Sequence, residues 1–461
     1  MTDFEKSLNV AQEIALGVAN LGGRAYFVGG YVRDLLMNRS TKDIDIEVHG
    51  VSDENLCAIL DSIGDRICIG ESFGIYSLKG LCLDIALPRK ERAVGKGHKD
   101  FHIEVDPFIG TLAAARRRDF TVNALMKDIL SGEVIDHFAG LSDLEAKVLR
   151  AVDEQTFRED PLRVYRGAQF AARFGFEIEP ATLNLFGQMP LDDLARERIE
   201  AELKKAMLTS SHPSIFFEVL KKAGKLKPHF SELYDLIDLK QDPIYHAEGD
   251  VWTHTMLTLD AAAECAPQTE NPFGFMMAAL THDMGKSVTT EEVDGRIHAY
   301  AHEVKGLPII EGFLKKITGE KRLTEYVLNL AELHMKPGVM AQAGSSIKKT
   351  NLLFDSAIDG KALILLGECD SKSSVSSKGE GYDKQFLYER LQIYHEYMER
   401  PYVMGRDLIE AGLAPSEDFS EILRFAHKLR LAGVDKKSAL AQTLGFAKTL
   451  EKKVETHETA D

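Results

Sequence analysis

Two aspartates separated by one residue form the sharpest chemical pattern in the sequence, within KDIDIEVHG. Successive side chains of a strand point to opposite sides, so Asp43 and Asp45 would face one way while the isoleucines beside them face the core. Like charges this close are costly unless a cation lies between them, and hard oxygen ligands suit Mg²⁺ bound with substrate phosphates. A third acid, Asp84, lies on a later predicted strand and can complete a two-metal set.

A double glycine in FVGGYVRDLL stands between a predicted strand and a predicted helix. Gly29 and Gly30 let a triphosphate approach the backbone at a helix N-terminus, and Arg33 offers a fork of donors. An Asp-x-Asp pair on a strand edge is common on its own. The neighbouring glycines and arginine favour a nucleotide-binding catalytic site over that plainer interpretation.

Histidines and aspartates in the second half form another pattern. Imidazole and carboxylate ligands together suit transition metals, and two such ions can activate water and clamp a phosphate. A lone buried histidine is usually a hydrogen-bonded core residue, but an ordered set is harder to explain that way. The candidates are His254, His282, Asp283, His302, His334 and Asp370.

The elements that must position these residues differ between the two ends of the chain. Strands are predicted at Tyr26–Val28, Ile44–Val48, Ile67–Ile69 and Leu81–Leu87, with helices at 3–21, 31–37 and 53–63. From about residue 160 the spacing of apolar residues predicts helix almost to the end. The fold class is therefore an α/β head followed by mostly α-helical domains.

Composition limits the class of function. The 461 residues include 56 Lys plus Arg against 72 Asp plus Glu, a net charge of −16, which excludes bulk coating of nucleic acid or anionic membrane. Five cysteines without CxxC pairs favour neither a disulfide framework nor a cysteine zinc site. An acidic, amphipathic start and the lack of a long apolar run predict a cytoplasmic protein without a membrane partner.

Six ordered motifs make the first half similar to a known family. They are GGYVRDLL with KDIDIEV, RRRDFTVNALMKD, GLSDLEAKVLRAV, REDPLRVYRGAQFAARFGF and ERIEAELKKAM. Together they resemble the class II tRNA nucleotidyltransferases, the CCA-adding enzymes, and their bacterial poly(A) polymerase relatives. The resemblance implies a polymerase-β-like head on a helical neck, with Asp43 and Asp45 as the metal-binding pair. It also implies nucleotide contacts from Gly30, Arg33, Arg118 and Arg166.

The neck segment REDPLRVYRG carries an Asp and an Arg that can select bases. Cytosine and adenine pair an amino donor with a ring-nitrogen acceptor, whereas uracil and guanine show the reverse. An acceptor-only carboxylate with a donor-only guanidinium therefore accepts C or A and leaves unpaired groups against U or G. The resemblance gives this role to Asp160 and Arg163, whose i, i+3 spacing predicts one helix face. A plain helical ion pair is the alternative.

Two further features modify this comparison. The family usually has another Arg where Gln169 stands, which weakens any phosphate contact there, and Arg173 is a candidate to compensate. The GKGHK segment is a predicted mobile loop, and in the family such a loop accompanies the switch from C to A addition. Arg89 and Glu91 match its R-x-E pattern.

The second pattern resembles the HD-domain metal-dependent phosphohydrolases. In that family the defining set corresponds to His254, the His282–Asp283 doublet and Asp370, with His302 and His334 where two-metal members add ligands. Lys286 is a candidate phosphate contact. The resemblance implies a phosphatase or 2′,3′-cyclic phosphodiesterase that uses a divalent transition metal such as Ni²⁺, Mn²⁺ or Co²⁺. A relic site, or one that serves RNA handling without turnover, is the alternative.

These observations predict an enzyme that adds C, C and A to tRNA 3′ ends from CTP and ATP, with Mg²⁺ in the head. A poly(A) polymerase or A-adding enzyme on the same head, and a protein that is primarily an HD phosphohydrolase, stay open as alternatives. Both acidic sets argue against a non-catalytic RNA-binding protein. The expected domains are a catalytic head (1–150), a helical neck that selects nucleotides and binds RNA (151–237), an HD domain (238–380) and a helical tail (381–461).

Overall fold

A computed structural model describes residues 2–41, 43–70, 74–93, 101–374 and 382–458. The chain divides into two compact units, one ending at His229 and the other beginning at Phe230. Among these residues, no helix combines the length and hydrophobicity that crossing a membrane requires. The predicted GKGHK loop (residues 95–99) lies outside the described residues.

The first unit contains the strands and the catalytic motifs of the head. Its strands are β1 (Arg24–Val28), β2 (Ile44–His49), β3 (Arg66–Gly70), β4 (Ile75–Leu78), β5 (Leu83–Ala86), β6 (Arg89–Ala93), β7 (Phe101–Val105), β8 (Met126–Asp128), β9 (Val134–Ile135), β10 (Val148–Leu149) and β11 (Glu177–Ile178). Its helices are α1 (Asp3–Asn20), α2 (Gly29–Leu36), α3 (Asp53–Ile63), α4 (Thr111–Arg116), α5 (Gly140–Ala146), α6 (Glu154–Phe157), α7 (Leu162–Phe174), α8 (Pro180–Gln188), α9 (Arg196–Thr209), α10 (Ser214–Lys222) and α11 (Lys227–Tyr234), the last kinked at Phe230 where the second unit begins.

Seven strands form one sheet in the order β3-β4-β5-β2-β1-β8-β9. All neighbours are antiparallel except β2 and β5, which run parallel with Asp45 opposite Asp84. β6 and β7 pair separately as an antiparallel hairpin. The parallel pair therefore brings two candidate metal ligands side by side at the centre of the sheet.

Apolar residues from α1 and α3 cover the face of the sheet opposite the aspartates. Ile14 and Val18 of α1 and Leu56 and Leu60 of α3 are fully buried in one cluster with Ile46 of β2. Each such side chain contributes about 1.5–3 kcal/mol when it leaves water. Burial of this face holds β2 in the register that leaves the carboxylates on the other side.

The second unit is helical apart from one hairpin. Its elements are α12 (Val251–Cys265), α13 (Pro272–Thr281), α14 (Lys286–Thr289), β12 (Thr290–Val293), β13 (Arg296–Ala299), α15 (His302–Lys305), α16 (Leu307–Ile317), α17 (Lys321–Leu333), α18 (Met335–Gln342), α19 (Ile347–Ser356), α20 (Gly360–Ser373), α21 (Lys384–Glu399), α22 (Gly405–Glu410), α23 (Phe419–Leu431) and α24 (Lys436–Glu458). From Phe273 to Thr281, α13 is buried at every position, and α12, α17 and α20 pack against it. Helices α22 to α24 share a smaller core of their own, which includes Leu408 and Ile422.

The predicted α/β head and helical remainder are confirmed, with three differences. The sequence did not indicate β4, the β6–β7 hairpin, β8, β9 or β10, because these strands are short or, like RKERA in β6, densely charged. Three short strands, β11, β12 and β13, follow residue 160, where the sequence predicted helix. The third difference is the start of α7 at Leu162, which leaves Asp160 outside the helix.

Candidate active sites

The head carboxylates stand where two strands place them side by side. Asp43 immediately precedes β2, and Asp45 on β2 lies opposite Asp84 on the parallel β5. Ile44 and Ile46 are buried on the other face, so the predicted alternation is confirmed. Asp84, predicted only from its position on a later strand, joins the pair through the register.

Electrostatics of these carboxylates favour a bound cation. Burial raises the pKa of Asp45, Arg118 lowers it, and the nearby Asp84 and Asp43 raise it again. Burial and Asp43 likewise raise the pKa of Asp84. Because the carboxylates oppose one another's ionisation, divalent cations between them would stabilise the charged forms, and the oxygen-only donor set fits Mg²⁺.

The glycine turn lets the backbone come close to this acidic edge. Gly29 begins α2 with φ +63°, a left-handed conformation that favours glycine. A Cβ at this position would lie 3.3 Å from Nη1 of Arg118 and 3.5 Å from Oδ2 of Asp45. Glycine therefore suits this position in two ways: it adopts the left-handed conformation easily, and it leaves room for Arg118 and Asp45.

A cleft of about 480 Å³ opens beside the turn and collects the predicted nucleotide-binding residues. Its lining includes the carboxylate of Asp45 and these predicted contacts: Gly29, Gly30, Arg33, Arg118, Asp160, Arg163 and Arg166. Arg89, Arg117 and Arg198 line it as well, so arginine dominates its charge. A pocket of this size and sign suits the phosphates and sugar of a nucleotide.

Arg33 is more deeply placed than the sequence suggested. Its side chain is 4% exposed, and Nε and Nη2 donate to Oδ1 of Asp34 at 2.8 and 2.6 Å. Nη1 donates to Oδ1 of Asn123 at 2.6 Å, and the guanidinium lies 4.3 Å from the ring centroid of Phe174. The arginine lines the cleft from a fixed orientation.

A chain of polar contacts joins the head to the neck helix α7. Nε of Arg166 donates to Oδ2 of Asp119 at 2.7 Å, and Oδ1 of Asp119 accepts from Nδ2 of Asn123 at 2.9 Å. Asn123 in turn accepts from Arg33, so two predicted nucleotide contacts are tied together. Asp119 and Asn123 were missed as candidates although both belong to the RRRDFTVNAL motif, which was the available signal.

The spacing prediction for Asp160 and Arg163 is wrong in one respect. Asp160 lies before α7, where its Oδ1 accepts from the backbone N–H of Leu162 at 3.1 Å. Its carboxylate pairs with Nη2 of Arg198 on α9 at 2.9 and 3.1 Å. Arg163 donates to the carbonyls of Thr156 and Arg117, both at 2.7 Å. The two residues share the cleft without forming the helical ion pair, because Pro161 starts the turn that precedes the helix.

Gln169 lies inside α7 and is nearly fully buried. Its Nε2 makes no hydrogen bond with the described residues. One turn further, Nη2 of Arg173 lies 3.8 Å from Oδ2 of Asp34. Arg173 therefore faces the carboxylate that also holds Arg33.

Arg118 has a carboxylate partner that the sequence analysis missed. Its Nη2 donates to Oε2 of Glu47 at 3.0 Å, and Glu47 lies two residues after Asp45 on the same strand face. Burial raises the pKa of Glu47, but His49 and Arg118 outweigh it and the net shift is downward. Glu47 therefore holds Arg118 at the acidic edge.

The second site is assembled from five helical regions. His254 lies in α12, and His282 and Asp283 directly follow α13. His302 begins α15, His334 directly follows α17, and Asp370 lies in α20. All six candidates from the sequence are thus brought together, and ligand atoms of His254, His282 and Asp370, and of His282, Asp283 and His334, lie within 4.8 Å of one another.

Asp283 lies at the centre of this cluster. Its Oδ1 is 3.2 Å from Nε2 of His302, and its Oδ2 is 3.4 Å from Nε2 of His282. Nε2 of His254 lies 3.0 Å from Oδ1 of Asp370, and Nε2 of His302 lies 3.4 Å from Nε2 of His334. Four imidazoles therefore direct the same nitrogen towards two carboxylates.

Backbone carbonyls orient three of these imidazoles. Nδ1 of His282, His302 and His334 lies 2.8, 2.9 and 2.6 Å from the carbonyl oxygen three residues earlier, at Ala279, Ala299 and Ala331 respectively. A carbonyl only accepts, so each Nδ1 donates and each neutral ring presents a lone pair on Nε2. Convergent lone pairs beside carboxylates are the arrangement that a divalent metal requires.

Burial and the neighbouring charged groups shift the pKa values of the histidines in this cluster. Burial lowers the pKa of His254, but Asp370 and Glu248 outweigh it and raise it to about 9. Burial and the adjacent His282 lower the pKa of His334 to about 4. Nε2 of His282 is buried and makes no hydrogen bond with the described residues. The residues fit a transition metal ion, which would bind to these nitrogens.

A cavity of about 450 Å³ leads to the ligands and gives a substrate access to them. Asp283, His302 and Asp370 line it together with Lys286. Nζ of Lys286 lies 2.7 Å from Oδ2 of Asp283 and donates to Oε1 of Gln241 at 2.8 Å. Gln241 and Glu248 lie in the turn-rich segment 238–250, at the predicted start of the HD domain, and neither was among the predicted site residues.

A carboxylate-edged nucleotide cleft on a mixed sheet, with a separate cluster of histidines and aspartates, defines the nucleotidyltransferase class of protein with a second module added. Residues 25–150 match the family model of the Poly A polymerase head domain, and residues 175–236 match the probable RNA and SrmB-binding site of polymerase A. Residues 251–371 match the HD domain.

Curated relatives extend this similarity along most of the chain. A Multifunctional CCA protein of Nitrosococcus oceani is 35% identical over 396 residues, which cover 84% of this chain and 93% of the relative. One from Pasteurella multocida is 32% identical over 406 residues, covering 84% and 92%. The chain therefore belongs to the class II CCA-adding enzyme family, in the group that carries an HD domain.

Solved structures share the fold at lower sequence identity. The Thermotoga maritima CCA-adding enzyme complexed with tRNA matches with a TM-score of 0.62 at 20% identity, over 96% of each chain. A complex of a CCA-adding enzyme with CTP matches with a TM-score of 0.64 at 20% identity, over 97% of this chain and 95% of that one. The polymerase-β-like head and helical body are thus shared across distant sequences.

Proposed function

We propose that this chain adds C, C and A to the 3′ end of tRNA from CTP and ATP without a nucleic-acid template. The observation that carries this proposal is the single cleft in which the carboxylate of Asp45, the Gly29–Gly30 turn and the neck residues Asp160 and Arg163 meet. Membership in the CCA-adding family supports it, as do the printed names of the relatives.

In this proposal Asp43, Asp45 and Asp84 would hold two Mg²⁺ ions. When bound, such ions lower the pKa of the attacking 3′-hydroxyl and stabilise the charge on the triphosphate. Gly29 and Gly30 let the phosphates approach the backbone, while the fixed guanidinium of Arg33 contributes positive charge at the cleft wall.

Base selection falls to two neck residues of the cleft. Carbonyls of Thr156 and Arg117 fix the guanidinium of Arg163, which offers donors to a base nitrogen. The carboxylate of Asp160 accepts an amino hydrogen of cytosine or adenine, in place of or beside its bond from Arg198. Arg166, anchored by Asp119, contributes a further nucleotide contact.

Incorporation on three tRNA transcripts tests the proposal. They end before, within and one residue short of CCA, and each receives CTP, ATP or both with Mg²⁺. Stepwise addition that stops at CCA is the expected result. Unlimited extension with ATP alone would replace the proposal with a poly(A) polymerase, and a single A added only after CC would indicate an A-adding enzyme.

For the second unit we propose a metal-dependent phosphohydrolase, active on phosphomonoesters or 2′,3′-cyclic phosphates with Ni²⁺, Mn²⁺ or Co²⁺. The convergent Nε2 lone pairs around Asp283 support this function, with Lys286 placed to contact a phosphate. Hydrolysis of p-nitrophenyl phosphate and 2′,3′-cyclic AMP by the full chain should depend on the added metal. Asp283→Ala should abolish it and leave CCA addition unchanged; a variant that kept full hydrolysis would contradict the assignment.

The same proposal assigns regions to tasks and a compartment to the protein. We propose a catalytic head at 1–150, a nucleotide-selecting neck at 151–237, an HD domain at 238–380 and a tail at 381–461. Because its substrates are tRNA, CTP and ATP, we propose the cytoplasm as its location. Limited proteolysis with mapping of the cut sites tests the domain bounds. Fractionation of cells tests the location.

A further inference from the structure

We infer that Glu248 is a positioning residue that fixes the His254 imidazole for metal binding in the second unit. Its Oε1 lies 3.0 Å from Nδ1 of His254, on the side of the ring away from Asp370. This inference rests on the metal site proposed above and assigns a role to a residue outside its six candidate ligands.

His254 differs from the other imidazoles in how its Nδ1 is held. In His282, His302 and His334 the backbone carbonyl three residues earlier accepts from Nδ1. The corresponding carbonyl for His254 is that of Val251, which accepts from Oγ1 of Thr255 at 2.8 Å. A side-chain carboxylate, Glu248, takes the place that the backbone fills elsewhere.

The carboxylate of Glu248 is built into the interior. Its side chain is 3% exposed, and the same Oε1 lies 2.8 Å from Nδ1 of His246. A carboxylate accepts only, so both imidazoles must donate from Nδ1. With Nδ1 donating to Glu248, His254 directs Nε2 to the metal site, where a bound metal would replace the Nε2 proton that faces Asp370.

The local chain conformation brings Glu248 to this position. Gly249 has φ +126°, which side chains rarely tolerate, and Asp250 then caps α12 by accepting from the backbone N–H of Thr253 at 2.9 Å. The sharp turn at the glycine folds Glu248 back over the first turn of α12. The sequence HAEGDVWTH encodes this arrangement locally.

An alternative is that Glu248, His246 and His254 are themselves ligands of an ion, since their donor atoms also lie within 4.8 Å of one another. The 2.8 and 3.0 Å separations are those of direct N–H···O hydrogen bonds, and they favour positioning. The two roles predict different metal stoichiometry, so one titration separates them.

The test is a titration of the full chain with Co²⁺ in excess Mg²⁺, followed by the visible absorption of nitrogen-bound Co²⁺. Glu248→Ala should weaken Co²⁺ affinity about 10–100-fold with the number of bound ions unchanged. Glu248→Gln keeps an acceptor oxygen and should stay within about fivefold of wild type. Glu303→Gln is the matched control, because Glu303 lies 3.8 Å from Nδ1 of His302 but that nitrogen already donates to Ala299.

The possible outcomes distinguish a positioning role of Glu248 from a ligand role. Wild-type affinity in Glu248→Ala would overturn the positioning role, and loss of one bound equivalent would make Glu248 a ligand instead. If Glu248→Ala does not fold, a Glu248→Gln protein with the wild-type stoichiometry but an affinity loss as large as 100-fold would still contradict orientation by an acceptor. Absence of nitrogen-bound Co²⁺ in the wild type would overturn the metal site and this inference together.

Discussion

Replacing Asp160 by Asn should relax base selection without removing catalysis. The carboxylate presents acceptors only, and an amide of the same shape presents one acceptor and one donor group. The variant can therefore rotate its amide to meet uracil, whose exposed edge is reversed relative to cytosine. Discrimination between CTP and UTP should fall, while CTP itself still finds an acceptor.

The structure sets the size of this effect. An unpaired polar group costs about 1–3 kcal/mol when buried. The Asp160 side chain is 34% exposed, which favours the lower half of that range, about 1–2 kcal/mol. That corresponds to a drop of about 5- to 30-fold in the CTP:UTP ratio of kcat/KM. Loss of the exposed pair with Arg198 should lower the free energy of unfolding by less than about 1 kcal/mol, so the variant should fold.

Single-turnover incorporation on a tRNA transcript that lacks CCA measures the ratio directly. Glu154→Gln is the matched control, because Glu154 also pairs with an arginine, Arg158 at 2.6 Å, but does not line the cleft. The control should keep the wild-type ratio. Equal losses for CTP and UTP in Asp160→Asn would refute the acceptor argument and leave Asp160 with a structural role only.

Three further outcomes follow from the head. Asp43→Ala combined with Asp45→Ala should reduce incorporation at least about 10³-fold with tRNA binding retained, measured by rates and filter binding; substantial remaining incorporation would contradict metal binding by this pair. Arg33→Lys loses most of the buried hydrogen bonds to Asp34 and Asn123 and should lower the free energy of unfolding by about 2–4 kcal/mol in urea titrations. Burial alone would raise the pKa of Asp119, but Arg166 outweighs burial, and the pKa in the folded protein is lowered. The ionised Asp119 therefore stabilises the fold fully above pH 3.8, the ordinary pKa, and this stabilisation is lost as the pH falls through the folded pKa. Stability of Asp119→Asn should thus change less on acidification than that of the wild type, and parallel curves would contradict this reasoning.

Local periodicity was enough to predict the acidic edge of the head. Alternation along β2 fixed the side of the sheet for Asp43 and Asp45, because the isoleucines between and after them must be buried. The sequence placed Asp84 on a strand, but it could not supply the parallel register of β2 and β5. Register depends on contacts between segments about forty residues apart, and periodicity within one segment carries no such information.

The neck shows where spacing misled. An i, i+3 interval predicts contact only if both residues lie within one helix, and the Asp160–Pro161 sequence was a signal that the helix begins later. The actual partner, Arg198, comes from α9, and no local rule connects the two positions. The chemistry of each residue type limited its possible roles, whereas its partners depended on tertiary packing.

In the second unit the sequence could predict which histidines and aspartates come together, but not the residues that orient them. Histidine and aspartate are common metal ligands, so their types indicate metal chemistry. Glu248 and Gln241 lie in a turn-rich segment, where acids and amides are common and indicate no particular function. The glycine after Glu248 was the one local sign of an unusual backbone.

Main-chain oxygens hold three of the four imidazoles, and this has a consequence for inheritance. An amide oxygen is present whatever residue occupies a position, so codon changes at Ala279, Ala299 or Ala331 leave the acceptor itself in place. The fourth ring relies on a side chain that one codon change can remove. A lineage under relaxed selection can therefore disable the proposed metal centre while all six candidate ligands are still encoded. Counting candidate ligands across descendants would then overstate how many of them bind metal.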